Sequence, residues 1–202
     1  MRPVRILVFA KAPQPGLAKT RLIPALGAAG AAALAHRMLD HTLASALAAG
    51  VDAVELCATP GVGEVAWRGV ELPAGIETST QGDGDLGARM ARAAERSCAR
   101  GEAVMLVGTD CAEMSPALLR AAAAVLRAGT PVIHPAADGG YALLGLTRFE
   151  PRVFDAIAWS SDTVAATTIA RLRALGWPVH VGAVVHDIDT PADLVHLPFL
   201  RG

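Results

Sequence analysis

The sequence predicts an α/β domain with a mixed, mainly parallel β-sheet and helices on both of its faces. Short apolar segments rich in β-branched residues alternate along the chain with longer segments of helical periodicity. No repeat, linker or low-complexity segment interrupts this alternation. Strands that alternate with helices are typical of parallel sheets covered on both faces. Because 202 residues suit one domain, we expect residues 1–202 to form a single three-layer α/β/α unit.

The first half of the chain predicts four strands and two helices. The strands are short apolar runs at residues 4–10, 53–59, 76–80 and 103–108. Leu34, Met38 and Leu43 recur at helical spacing before Gly50, which predicts a helix from about residue 28 to 49. Residues 86–100 predict a second helix with one apolar face.

The second half predicts an antiparallel pair within the sheet. Ser115 and Pro116 predict the N-terminus of a helix that ends near residue 128. Apolar runs at 131–136 and 141–146 flank Asp138-Gly139-Gly140, a turn signal that predicts a hairpin. Ser161 or Asp162 would cap a helix to about residue 176, residues 178–188 would form the last strand, and a short helix would follow Thr190-Pro191.

Composition excludes several classes of function. The net charge of −1 and the absence of a basic block argue against nucleic-acid binding. The longest apolar stretch, residues 25–35, is mostly Ala and Gly and is too short to cross a bilayer. The apolar run before Lys11 is too brief for a secretory signal. Three cysteines without CxxC spacing suit a reducing compartment, so we expect a cytoplasmic protein without a membrane span.

The loop after the first strand has the residues of a phosphate site. The chain contains 16 arginines and only two lysines, and both, Lys11 and Lys19, lie in the segment 11–22 with Gly16 and Arg21. Three cations and a glycine between a strand and a helix suit a di- or triphosphate. The loop is not a Walker A motif, which needs glycine where Pro13 and Ala18 stand. A solvated Pro-rich connection is the alternative.

Carboxylates follow two other strands. Asp110 comes after the strand 103–108, and Asp187 and Asp189 come at the end of the expected last strand. Ligands of open α/β sheets bind at the carboxyl ends of the strands, and one or two carboxylates can hold Mg²⁺ there together with phosphates and water. The alternative is that each aspartate caps the following helix, which suits Asp189 before Thr190 better than it suits Asp110.

A third loop contains G-x-G-x-x-G at residues 82–87, but a dinucleotide site is a poor interpretation. Asp83 and Asp85 would repel a pyrophosphate unless a metal intervened, and the motif lies in the middle of the chain rather than in its first βαβ unit. The glycines could instead allow backbone amides and Gln81 to contact a nucleobase.

Five sequence blocks together resemble a known family. FAKAPQPGLAKTRL, GDLGARM, GTDC, DGGYALLGL and DIDTPADL, spread over residues 6–194, are similar to those of an uncharacterised bacterial family with the GT-A fold of nucleotide-diphospho-sugar transferases and nucleotidyltransferases. The resemblance implies that fold, a single-domain transferase, and Mg²⁺ or Mn²⁺ as cofactor. Its partners would be a nucleotide or nucleotide-sugar donor and a small-molecule acceptor, whereas the oligomeric state is left open.

The resemblance also implies roles for individual residues. The phosphate loop and the base or ribose contacts would be formed by Lys11, Gly16, Lys19, Arg21, Gln81, Gly84 and Gly87. Asp110 and Asp189 would bind the metal, with Lys19 and Asp110 as the catalytic residues, and the role of Asp187 is open. The acceptor side would include Asp138, Gly139 and Tyr141.

Two departures from the family patterns leave the reaction open. Pro13 and Pro15 stand in a loop that is Gly-rich in cofactor nucleotidyltransferases, and Cys111-Ala112 follow Asp110 where glycosyltransferases of this fold show D-x-D. We therefore expect a Mg²⁺-dependent transferase that carries out either glycosyl or nucleotidyl transfer. The alternative is a nucleotide-binding regulatory module without catalysis.

Overall fold

Seven strands form one sheet in the computed structural model, which describes residues 2–197. The strands are β1 (Val4–Lys11), β2 (Ala53–Thr59), β3 (Ile76–Thr80), β4 (Ala103–Gly108), β5 (Val132–Pro135), β6 (Tyr141–Leu146) and β7 (His180–Val181). Their spatial order is β3-β2-β1-β4-β6-β5-β7. Of these strands, β6 alone runs antiparallel to its neighbours, β4 and β5. The predicted mixed, mainly parallel sheet is confirmed.

Four α-helices cover both faces of the sheet. They are α1 (Ile23–Ala48), α2 (Leu86–Cys98), α3 (Pro116–Arg127) and α4 (Val164–Ala174). Side chains of β1 alternate between the faces, so Ile6 packs in the core with α1 and α3 whereas Leu7 packs with α2 and α4. This arrangement is the predicted three-layer α/β/α architecture.

Helix α1 begins five residues before its expected start and has a break at Gly27. Gly27 has φ of 70°, a conformation that glycine adopts without steric cost. By length and composition alone, the segment Thr20–Ala48 could cross a membrane, a test that core helices also pass. In the structure α1 buries Leu39 and Leu43 against the sheet. The absence of a membrane span stays a prediction.

Two expected elements near the C-terminus differ from the structure. The strand predicted for residues 178–188 is wrong, because only His180–Val181 pairs as a strand, followed by isolated bridges at Val185 and Asp187. The Ala183 carbonyl lies 3.1 Å from the His134 ring nitrogen instead of pairing with a strand. The expected cap at Ser161 or Asp162 is also wrong, since α4 begins after Thr163. The hairpin β5–β6 and the Ser115 cap of α3 are confirmed.

A buried arginine joins the first three strands away from the carboxyl edge. The Arg5 side chain in β1 is 7% exposed and binds Glu102 through two nitrogens at 2.8 and 2.9 Å. Its Nη1 donates to Glu77 at 2.8 Å and contacts the buried Glu55 at 3.4 Å. Glu55 also accepts hydrogen bonds from Ser79 and Arg96. Loss of one member would leave buried charge without a partner.

We expect Arg5→Leu to lower the free energy of unfolding by about 3–5 kcal/mol, because it removes the arginine that binds the mostly buried Glu102 and leaves Glu55 with Arg96 and Ser79 as partners. Urea denaturation measures this change. Arg127→Ala is the control, since the Arg127–Asp52 pair is partly exposed and its loss should cost about 1 kcal/mol or less. Equal effects of the two substitutions would contradict a structural role of the Arg5 network.

Candidate functional site

A cleft of about 690 Å³ opens at the carboxyl edge of the sheet. The loops after β1, β3 and β4, the β5–β6 turn and the segment after β7 all contribute to its wall. Its lining includes these residues singled out in the sequence: Lys11, Lys19, Arg21, Gln81, Gly84, Asp110, Asp138, Tyr141, Asp187 and Asp189. The cleft therefore brings together residues that are up to 178 positions apart in the chain (Lys11 to Asp189).

The Lys19 ammonium connects the phosphate loop to the two proposed metal ligands. Lys19 Nζ donates to Asp110 Oδ1, to the Ile188 carbonyl at 2.5 Å and to Asp189 Oδ1 at 3.3 Å. The Lys19 side chain is 5% exposed, whereas those of Asp110 and Asp189 are 51% and 42% exposed. The lysine thus lies beneath two carboxylates whose remaining surface faces the cleft.

The conformation of the loop after β1 places Lys19 in this position. Lys19 has φ of 50° and ψ of 41°, in the left-handed region that non-glycine residues adopt infrequently. Gly16 also has a positive φ, of 80°, but does not line the cleft. Gln14 anchors the loop by donating to the Ala66 carbonyl at 2.6 Å, and Pro13 is buried. The loop is therefore held in place at Pro13, Gln14 and Lys19, whereas Pro15, Gly16 and Leu17 are exposed.

The other two cations of the loop remain available to a ligand. Lys11 is the last residue of β1 and Arg21 lies in the 3-10 turn before α1, and both are exposed in the cleft lining. Within residues 2–197, neither forms an ion pair. Two positive charges at the rim of the cleft suit a polyphosphate.

The alternative role of Asp110 and Asp189 was to cap the helices that follow them. In the structure, other residues cap these helices. The short 3-10 helix Pro191–His196 is capped by Thr190 and Asp193, whose carboxylate accepts from the backbone nitrogens of Asp189 and Thr190. Ser115 caps α3 through a hydrogen bond from Leu118 N. The carboxylates of Asp110 and Asp189 are thus engaged by Lys19 rather than by a helix terminus.

Asp187 is the carboxylate most affected by its surroundings. Desolvation, followed by repulsion from Asp110, Asp138 and Asp189, raises the pKa of Asp187 to about 7. Lys19 opposes this shift without cancelling it. The cleft therefore holds more negative charge than its buried lysine offsets.

The donor set fits a hard divalent cation. Asp110 Oδ1, Asp189 Oδ1 and the Ile188 carbonyl already surround one cationic group, the Lys19 ammonium. Carboxylate and carbonyl oxygens are the ligands that Mg²⁺ and Mn²⁺ prefer. Over residues 2–197, no cluster of three or more Asp, Glu, His or Cys side chains is arranged to hold a metal. A metal at this site would thus need water or substrate oxygens to complete its shell.

The structure gives Gln81 an internal position. Its Nε2 donates to the carbonyls of Ala10 at 3.2 Å and Cys57 at 2.8 Å, so the buried side chain cross-links the ends of β1 and β2. Gly84 lines the cleft, but Gly87 does not. A Cβ at Gly87 would lie 2.5 Å from the Trp159 indole nitrogen, so this glycine permits close packing of α2 on Trp159.

Of the residues expected at the acceptor side, two line the cleft and one does not. Asp138 and Tyr141 line the cleft, and the Tyr141 hydroxyl contacts Met90 Sδ at 3.8 Å. Burial raises the pKa of Tyr141 well above its usual value, so this phenol remains protonated. Gly139 lies outside the lining, and any side chain on it would collide with the Asp162 backbone.

Arg89, Leu86 and Leu17 are among the lining residues that had no role in the sequence analysis. Arg89 and Leu86 lie in the first turns of α2, and Leu17 lies beside Gly16 in the loop after β1. The glycine-rich loop before α2 was a signal for Arg89 and Leu86. A helix that starts after such a loop at the carboxyl edge presents its first turns to the ligand. The orientation of the Arg89 guanidinium, by contrast, depends on tertiary contacts.

Comparisons with known proteins identify the family of this chain and solved structures with a similar fold. Residues 42–161 match the family model described as "Uncharacterized protein conserved in bacteria (DUF2064)". No curated protein sequence matches the chain. A solved structure of a proposed nucleotide-diphospho-sugar transferase from Desulfovibrio desulfuricans G20 is 32% identical, with 96% of this chain and 85% of that chain covered and a TM-score of 0.87. The expected nucleotide-diphospho-sugar transferase fold is confirmed.

Two further solved structures share the fold at lower identity. Rv0371c from Mycobacterium tuberculosis H37Rv, in complex with manganese, is 23% identical over 96% of this chain and 97% of its own, with a TM-score of 0.56. The 4-diphosphocytidyl-2C-methyl-D-erythritol synthase from Anaerococcus prevotii DSM 20548 is 12% identical over 100% of this chain and 97% of its own, with a TM-score of 0.63.

We expect Asp187→Asn to stabilise the metal-free protein at pH 8, because it removes a carboxylate that is desolvated by burial and repelled by its neighbours. Between about pH 4 and 7 the folded state binds a proton at Asp187 that the unfolded state does not, so this group lowers stability as the pH rises. The gain in melting temperature should therefore shrink at pH 5.

Thermal unfolding in EDTA at both pH values measures this effect. Asp155→Asn is a matched control, since Asp155 is exposed and outside the cleft lining. A stability gain for Asp187→Asn that is the same at pH 5 and pH 8 would contradict the raised pKa of Asp187.

Proposed function

We propose that this chain, which belongs to the bacterial family DUF2064 by its match over residues 42–161, is a divalent-metal-dependent transferase that uses a nucleotide donor. The donor would be a nucleotide-sugar or a nucleoside triphosphate, and the acceptor a small molecule. The observation that carries the proposal is the junction of Lys19 with Asp110 and Asp189 in the cleft. The names of the similar solved structures support a transferase-like enzyme.

The cleft has the size and charge for a nucleotide. Its volume of about 690 Å³ lies in the usual range for small-molecule sites. Lys11 and Arg21 would bind the phosphates, since both are exposed in the lining. Lys19 would hold Asp110 and Asp189 in place and offset part of their charge.

Asp110 and Asp189 are the residues that would hold Mg²⁺ or Mn²⁺. When bound, the metal would neutralise donor phosphate charge and orient the phosphates for transfer. The manganese complex of Rv0371c supports a divalent metal in this fold. Asp138 and Tyr141 would face the acceptor.

Positioning and charge stabilisation would account for catalysis. In nucleotidyl transfer, an acceptor oxygen attacks the α-phosphorus and pyrophosphate leaves. In glycosyl transfer, it attacks the anomeric carbon and the nucleoside diphosphate leaves. In both reactions the acceptor proton passes to water, and the protein needs no covalent nucleophile. Within the part of the chain that is described, the cleft lining contains no cysteine or histidine.

A screen of nucleoside triphosphates and nucleotide-sugars by thermal shift, with and without Mg²⁺, tests the proposal. Product analysis then separates the two reactions, since pyrophosphate marks nucleotidyl transfer and a nucleoside diphosphate marks glycosyl transfer. Tight nucleotide binding without turnover on any acceptor would favour a regulatory module. No binding of any nucleotide would overturn the proposal.

We also propose that the protein is located in the cytoplasm, because its three cysteines without CxxC spacing suit a reducing compartment.

We expect Asp110→Asn to lower kcat by about 100-fold or more while the fold stays intact, because it removes a charged metal ligand from the cleft. Steady-state kinetics and circular dichroism measure the two effects. Glu113→Gln is the control, since Glu113 follows the same strand but lies outside the cleft and binds His186. Retained turnover in Asp110→Asn would rule out its catalytic role.

We expect Lys19→Ala to weaken nucleotide binding roughly 10- to 100-fold, because the unneutralised Asp110 and Asp189 would repel the phosphates. Isothermal titration calorimetry measures the dissociation constant. Arg68→Ala removes one positive charge from an exposed position outside the cleft and serves as control. An unchanged dissociation constant in Lys19→Ala would count against the proposed phosphate loop.

A further inference from the structure

The guanidinium of Arg89 is fixed in the cleft with most of its donors unused. Arg89 Nε donates to the Gly84 carbonyl at 2.8 Å, and Nη1 donates to Gln81 Oε1 at 3.4 Å. An arginine has five N–H donors, so three remain. Among the described residues, none accepts from these three donors and no carboxylate pairs with Arg89.

Gln81 determines the orientation of this arginine. Because the Ala10 and Cys57 carbonyls can only accept, the amide nitrogen of Gln81 must face them. Its amide oxygen is therefore the atom that faces Arg89. Gln81 is 7% exposed, so this arrangement is fixed by burial before any ligand binds.

An exposed leucine lies beside Arg89 on α2, and a second one lines the same cleft. Leu86 is 47% exposed and lies three residues before Arg89, so the two side chains are neighbours on α2, and both line the cleft. Leu17, in the loop after β1, is 64% exposed and also lines the cleft. Contact with apolar side chains does not stabilise a bound phosphate, whereas it stabilises a heteroaromatic ring whose face packs against them.

Lys11 and Arg21 are other candidates for phosphate binding, and they belong to a different segment of the chain. Lys11 and Arg21 come from the loop that precedes α1, and α1 packs on one face of the sheet. Arg89 comes from α2, which packs on the opposite face. Arg89 therefore enters the cleft from a different element than Lys11 and Arg21, and Gln81 lies between it and the Ala10 carbonyl at the end of β1.

We propose that Arg89, positioned by Gln81 and Gly84, recognises the base of the donor nucleotide and selects guanine or cytosine over adenine and uracil. Paired N–H donors match two adjacent acceptors, which guanine presents as O6 and N7 and cytosine as O2 and N3. On adenine and uracil, each acceptor on the hydrogen-bonding edge is followed by a donor. The inference rests on the proposed function and adds the identity of the base to it.

Calorimetric titration of the purified chain in Mg²⁺ buffer with GTP, CTP, ATP, UTP and inorganic tripolyphosphate tests the inference. For the wild type, we expect GTP or CTP to bind about tenfold or more tightly than ATP and UTP. Arg89→Lys keeps the charge but loses the paired donors, so this preference should fall to about twofold or less. Its affinity for tripolyphosphate should stay within about twofold of the wild type.

Two further variants complete the experiment. Arg89→Gln should abolish the preference in the same way as Arg89→Lys, and the melting curves of both variants show whether the fold is intact. Arg100→Ala removes an exposed arginine beyond the end of α2 and should leave the preference unchanged.

The remaining outcomes separate a failure of this inference from a failure of the proposed function. Nucleotide binding without base preference, or a preference that survives in both Arg89 variants, overturns this inference alone. An equal loss of GTP and tripolyphosphate affinity in Arg89→Lys assigns Arg89 to the phosphates and also overturns it. If no nucleotide binds to the wild type, the proposed function itself fails.

Discussion

The ammonium of Lys19 is the group on which the arrangement of the cleft depends. It binds Asp110 after β4, and Asp189 and the Ile188 carbonyl in the segment after β7. These contacts join chain segments that are 91 to 170 residues apart. The left-handed backbone at Lys19 is one cost of this placement. Without a cation at this point, the two carboxylates would repel each other across the carboxyl edge of the sheet.

The charged side chains at the two ends of the sheet differ in how they are paired. At the far end, Arg5 is 7% exposed and binds three glutamates, of which Glu55 and Glu102 are largely removed from water and Glu77 is 57% exposed. At the carboxyl edge, one buried lysine binds Asp110 and Asp189, and desolvation together with repulsion from Asp110, Asp138 and Asp189 raises the pKa of Asp187. A paired network stabilises the fold, whereas an unbalanced cluster open to a cleft is suited to a cationic or metal-bound ligand.

Sequence patterns located most of the strands and three residues that the structure brings together in the cleft, because apolar runs and strand-end polar residues are local signals. Lys19, Asp110 and Asp189 were found in this way, and their meeting follows from the parallel strands whose ends share one edge. The last strand was not predicted correctly, since after Val181 only isolated bridges at Val185 and Asp187 continue the pairing. Gln81 was expected at the ligand, but its amide nitrogen is used by two backbone carbonyls.

The amino-acid sequence by itself determined the α/β class, the order of the elements and the chemical types gathered at strand ends, since periodicity and turn residues act over a few positions. Only the tertiary structure decided which donors remain free. The direction of the Arg89 guanidinium depends on Gly84 and on Gln81, and Gln81 is in turn held by β1 and β2. Such orientation arises from contacts between residues distant in sequence, which no local pattern encodes.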